Sequence, residues 1–186
     1  MWRSVCASSG RIELNDRALQ LCNKIQSCFF QTPQSVPRKS YATSQEGWDE
    51  TSYFHQKDWR ELAIQDFNSH PYCLSFFAPE AFPFYFGALM YLSIAEQNFE
   101  CRALENFLTM WEEIPDFDEE VLDASSGSIP EMVVLELREV LSDQQIGIIE
   151  CYFDFRASWG IDYDRAASTA FVKSLRNAKS AARNIR

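Results

Sequence analysis

The sequence predicts a mainly α fold: a single-domain bundle of about six helices around one buried apolar helix. Three observations predict it. Apolar residues recur at helical spacing in one segment after another, prolines punctuate those segments, and one run, Ala81 to Ala95, carries no charge. Within that run Phe82, Phe84, Tyr85, Phe86, Leu89, Met90, Leu92 and Ile94 leave no polar face. A helix that is apolar all round must be buried on every side, in a membrane or at the centre of a globular fold. About fifteen residues fall short of the roughly twenty that a span needs, so the run is expected to be the central core helix. Pro79 or Pro83 suits its first turn, where a missing N–H costs nothing.

The other elements follow in chain order. Residues 1–11 read as a loose lead-in and 12–186 as the helical domain. A first helix is expected from about Asn15 to Phe30, capped by Asn15 or Asp16. It has Leu14, Ala18, Leu21, Cys22, Ile25 and Phe29 at helical spacing, and Pro33 and Pro37 stop it. Gln31 to Thr51 is polar and reads as a long loop. Asp58 and Glu61 have the spacing of a capping box, opening a helix that presents Trp59, Leu62, Ala63 and Phe67 and ends near His70–Pro71. After the central helix, Leu104, Phe107, Leu108 and Trp111 mark an amphipathic helix closed by Pro115. Residues 116–130 read as an acidic, then Ser/Gly-rich, loop. Glu131 to Leu141 fits both a helix, through Val133, Leu137, Val140 and Leu141, and a strand; helix is the expectation taken. Ser142 and Gln145 repeat the capping signature before Ile146, Ile149, Tyr152 and Phe153, and Gly160 breaks that helix. The last helix starts after Asp162 or Asp164, with a stripe of Phe171, Leu175, Ala178, Ala182 and Ile185.

Charge is unevenly distributed. The formal total is −10, made of −1 over residues 1–95, −15 over 96–164 and +6 over 165–186. Phosphate contact requires a basic surface, so nucleic-acid binding through the main body is excluded as an expectation. An acidic body suits one basic protein partner, or simple solubility. Six cysteines, none in a C-x-x-C pair, together with the absence of an apolar run in MWRSVCASSGRIEL, point to reduced thiols and a cytoplasmic protein with no membrane span. The basic last helix is expected to lay its stripe on the body and its charges near the acidic segment, with contact to RNA or an acidic membrane as the alternative.

Three strings together resemble a family of uncharacterised small, mostly bacterial proteins defined only as a domain of unknown function. Ser75, Phe76, Pro79, Glu80, Ala81, Phe82, Tyr85 and Ala88 match its Pro-Glu-Ala-Phe core motif. Trp59-Arg60-Glu61-Leu62 matches a Trp-containing segment before it, and Leu141, Ser142 and Gln145 match a helix start near the end. Pro83 and Gly87 depart from the pattern. The resemblance covers roughly residues 14–155 and brings no reaction. It implies an immunity-type inhibitor, the kind of protein that neutralises a contact-dependent toxin.

Chemistry-bearing patterns are sparse. His70-Pro-Tyr-Cys73 holds a Cys and a His without the third, orienting group that nucleophilic catalysis needs, and reads better as a turn histidine beside a buried cysteine. No zinc-ligand spacing appears. Asp116, Asp118 and Glu120 imitate a calcium loop, but Val121 stands where the turn glycine belongs and Gly127 where the bidentate glutamate belongs. No phosphate-binding or nucleophile-elbow motif is present. No metal and no cofactor are therefore expected. Glu80, at the lip of the apolar run, is the carboxylate that an enzyme would use in a pocket; the alternative is capping of the central helix. The partner-binding candidates are Trp111, Glu112, Glu113, Asp116, Phe117, Asp118, Glu119, Glu120 and Asp123, with aromatic residues as anchors among acids. A solvated loop is the rival reading of that stretch. The functional expectation is a non-enzymatic acidic protein-binding module; the alternative is a small enzyme using Glu80.

Overall fold

A computed structural model describes residues 5–30, 45–55, 57–112, 129–161 and 164–184. Within them lie nine α-helices, two single turns of 3-10 helix and no strand: α1 (Val5–Phe29), α2 (Gln45–Thr51), α3 (Ile64–Ser69), α4 (Cys73–Phe76), α5 (Phe82–Ala95), α6 (Arg102–Thr109), α7 (Ile129–Val140), α8 (Asp143–Ser158) and α9 (Arg165–Asn184). The mainly α bundle is as expected. The helix count exceeds six because the stretch before α5 is broken into short pieces.

The central helix is α5. Phe82, Tyr85, Phe86, Gly87, Ala88, Leu89, Met90, Leu92, Ser93 and Ile94 are all buried, and Pro83 occupies its first turn. Helix α1 packs along α5 and also touches α8; α3 packs on α5 and α6; α9 packs on α6, α7 and α8. The α1–α5 approach depends on Gly87, where a Cβ would sit 2.7 Å from Phe29 Cβ and 2.8 Å from its Cγ. Separations that short do not occur between real carbons, so no larger residue fits without moving α1. Leu21, Ile25 and Phe29 are the buried stripe of α1.

Aromatic rings fill much of the interior. Phe54, fully buried, meets Phe67, Phe77 and Tyr85 at centroid distances of 5.1, 5.3 and 5.6 Å. Phe82 stacks on Phe86 at 5.0 Å, and Phe107 bridges from Phe82 (5.4 Å) to Phe171 of α9 (5.1 Å). Each such side chain contributes on the order of 1.5–3 kcal/mol through burial. The hydroxyls admitted among them have partners, whereas the buried Trp111 Nε1 has none among the described residues: Tyr85 Oη donates to the Phe54 carbonyl at 2.5 Å, and Ser93 Oγ, which donates to the Met90 carbonyl, lies 3.0 Å from Tyr152 Oη.

Both capping boxes form, with different consequences. Ser142 Oγ accepts from Gln145 N at 3.2 Å while Gln145 Oε1 accepts from Ser142 N at 2.9 Å, and the sixteen residues of α8 follow. At Asp58 the box is equally complete, but it opens only the turn Trp59–Glu61; Leu62 then becomes extended. A second start follows, where Asp66 Oδ2 accepts from Ala63 N at 2.8 Å and Glu96 Oε1 accepts from Ile64 N at 3.2 Å. The break puts Leu62 and Ile64 both in the core.

Several boundaries differ from expectation. Helix α1 begins at Val5, within the expected lead-in and ten residues before Asn15. The helix penalty of Asn or Asp is at most about 0.7 kcal/mol each, small for a 25-residue element, so Asn15 and Asp16 lie inside α1 and do not start it. Residues 45–51 of the expected loop form α2, and Thr51 Oγ1 closes that helix on the Gly47 carbonyl at 2.6 Å. Residues 131–140 are helical. Gly160, at φ +82°, ends α8 in the left-handed conformation that glycine adopts without strain.

Candidate functional site

The nine partner-binding candidates fare differently. Trp111 is 1 % exposed, with its ring 5.1 Å from Phe171 and 6.3 Å from Phe107. It is a core residue and not an interface anchor. The reason is periodicity: Leu104, Phe107, Leu108 and Trp111 lie on one face, and α9 covers that face. Glu112, the next residue, is exposed. Glu113, Asp116, Phe117, Asp118, Glu119, Glu120 and Asp123 lie outside the described residues.

The surface beyond that segment is strongly acidic. Between residues 96 and 164, the acids with described surroundings are Glu96, Glu100, Glu105, Glu112, Glu136, Glu139, Asp143, Glu150, Asp154 and Asp164. All except Asp164 are exposed or half-exposed. Within residues 96–164, Arg102 and Arg138 are the only bases that reach the surface among the described residues, and Lys173 and Arg176 of α9 lie against Glu150 and Asp154. Arg138 is committed locally: it donates to the Leu141 carbonyl at 2.7 Å and to Asp143 Oδ1 at 2.6 Å, at the junction of α7 and α8. The third base of this segment never reaches solvent. Arg156 is 1 % exposed, its Nε donates to the Phe99 carbonyl at 3.3 Å, and its Nη1 pairs with Asp164, itself 6 % exposed. Folding thus removes one cation and one anion together and leaves the acid excess outside.

Helix α9 places Phe171, Leu175 and Ala178 in the core. Arg176 reaches across to Glu150 of α8. Lys173 lies along the same α8–α9 groove, with Asp154 on its other side.

Glu80 is exposed, in the turn before α5. The N-cap of α5 is Ala81, and no side chain caps that helix. Neither capping nor a buried proton-transfer role describes Glu80. His70 stacks on Tyr53 at 4.9 Å and meets Phe54 edge-on at 5.5 Å. Cys73 is fully buried, and burial, with the nearby Cys101 and Glu50, pushes its thiol well above its ordinary value. A thiol held neutral in this way is no activated nucleophile. Among the described residues no group of three or more His, Cys, Asp and Glu is arranged to hold a metal ion, and no helix is long and apolar enough to cross a membrane.

Sequence reasoning missed an aromatic corner built by α2 and the turn into α4. Trp48 and Tyr72 are 42 % and 53 % exposed, and Tyr53 is 38 % exposed with Lys57 Nζ 3.1 Å from its ring centre. The Glu50 carboxylate accepts from Tyr72 N at 3.1 Å, and Asn106 of α6 donates to the Pro71 carbonyl at 3.0 Å. Those bonds join the corner to the helix from which the acidic segment departs. Trp48 lay in a stretch read as loop, and no spacing rule shows which aromatic faces water.

No family model, no curated protein and no solved structure matches the chain. Function is read from its own residues.

Proposed function

We propose that the protein is a non-enzymatic, acidic, cytoplasmic binding module that neutralises one basic partner protein. The acid excess at the surface carries this reading: nine exposed or half-exposed carboxylates face two surface bases between residues 96 and 164, while Arg156 is withdrawn into the interior. A field of one sign raises the encounter rate with an oppositely charged partner and rejects like-charged ones. The partner-binding residues are Glu112, Glu113, Asp116, Phe117, Asp118, Glu119, Glu120 and Asp123; Trp111 anchors the start of this stretch to the body. The exposed Trp48, Tyr53 and Tyr72 supply the apolar contact area that interfaces concentrate in aromatic side chains. An immunity-type inhibitor is the narrower form of this reading.

The test is charge reversal: Glu119→Lys, Glu120→Lys and Asp123→Lys together, with binding to the partner followed by surface plasmon resonance across a salt series. The association rate is expected to fall by about tenfold or more at low salt, and its salt dependence to flatten. Unchanged association across the series rules these residues out as the binding site. An exposed Glu80 beside an uncapped helix lends no support to an enzyme.

A further inference from the structure

We infer that the groove between α8 and α9 binds a small soluble carboxylate with an apolar body. The groove encloses about 370 Å³, within the range of small-molecule sites and equal to roughly a dozen water-sized volumes. Its floor is apolar: Phe153 and Val172 are 9 % and 7 % exposed. Its α9 wall carries Arg165, Thr169 and Lys173, four residues apart and therefore in line on one face.

The charges in this wall are not equivalent. Arg176 is committed to Glu150, and Lys173 has electrostatic or hydrogen-bonding company of its own. Arg165 is exposed, and its guanidinium pairs with no acid among the described residues. It also stands in the first turn of a twenty-residue helix, where the helix dipole disfavours a cation. A cation placed against the dipole, with no acid partner among the described residues, at the mouth of an apolar-floored groove is arranged for an anion from outside. Guanidinium and carboxylate match as a two-pronged donor and acceptor, and Thr169 offers a hydroxyl one turn along. Asp154 on the opposite wall limits the ligand to one anionic head, since a second negative group would face it. A polyanion is excluded by the same carboxylate. The site shares Glu150 and Asp154 with the acidic face but uses none of the partner-binding residues between 112 and 123, so its test and the charge-reversal test fail separately.

The test titrates the full-length protein with decanoate, and in parallel with decanol, by amide-resolved NMR. Decanoate is expected to give saturable shifts confined to α8 and α9 and to bind about tenfold more tightly than decanol, the size of effect a charge-assisted hydrogen bond supplies. Arg165→Gln should reduce decanoate to the affinity of decanol, and Arg60→Gln, on a remote surface turn, should not. Equal affinity for acid and alcohol, no saturable shift, or an Arg165→Gln protein that binds decanoate as tightly as the parent would each overturn the assignment.

Discussion

Around α5 the interior is aromatic and uncharged, whereas the end of α8 and the start of α9 bury a guanidinium and a carboxylate against each other. The two regions solve burial differently. Near α5, hydroxyls enter only with a carbonyl or a second hydroxyl already in reach, as Tyr85, Ser93 and Tyr152 do. At Arg156 a full charge is admitted, because Asp164 and the Phe99 carbonyl meet it from two other parts of the chain. Apolar packing tolerates volume-conserving change; a buried pair fixes which residues must meet, across the turn between α8 and α9. One region supplies stability in bulk, and the other sets the register of the hairpin that carries the charged groove.

The difference is sharpest at Arg156. Arg156→Met leaves Asp164 buried without its partner, and urea unfolding should register a loss of about 3–5 kcal/mol. Adding Asp164→Leu removes the orphaned charge and should recover most of that loss. If the single change is as harmless as the double, the pair carries no such weight.

The buried thiols supply a second breaking point, in alkali. Burial raises the Cys101 thiol to about 11 from 9.0 and pushes Cys73 well above 9.0. The unfolded chain releases these protons near pH 9 while the folded chain retains them. The folded state therefore holds more protons between pH 9 and 11, and stability falls as pH rises through that window. Each thiol contributes a slope of about 1.4 kcal/mol per pH unit there. Denaturant melts of a Cys73→Val, Cys101→Val protein should show a shallower decline than the parent; an identical decline assigns the effect elsewhere.

A smaller effect is expected at the α1–α5 contact. Gly87→Ala drives a Cβ into Phe29 and should cost about 1–3 kcal/mol, the usual range for overpacking. A Phe29→Gly background tests the cause, since it removes the Cβ and Cγ that the new methyl group meets and should shrink the penalty. Additive effects of the two changes would show that the Phe29 side chain is not what excludes the methyl group.

The uncharged side was the easier to read in sequence. Helix α5 announced itself because no placement of Phe82 to Ile94 spares an apolar face from water, and Ser142 with Gln145 carries its partner three residues on. Features joined across the fold were not legible. Arg156 is one of three bases among eighteen acids over residues 96–164, which reads as a solvated counter-charge until the turn brings Asp164 beneath it. Trp111 is in sequence both the last member of the α6 stripe and the first aromatic residue of the acidic stretch, and only the packing of α9 over that stripe assigns it to the core. The box at Asp58 was real, yet Leu62 and Ile64 were both drawn into the core and the helix stopped after one turn. Exposed Trp48 and Tyr72 left no trace, since aromatic residues face water or the core by tertiary position alone.

The most direct test of an acidic binding module is affinity capture of the tagged full-length protein from native lysate at low and at high salt, read by mass spectrometry. One basic protein should be recovered in stoichiometric amount at low salt and released at high salt, and the Glu119→Lys, Glu120→Lys, Asp123→Lys protein should fail to recover it. A partner retained equally at both salts, or no partner at either, contradicts electrostatic capture by the acidic surface.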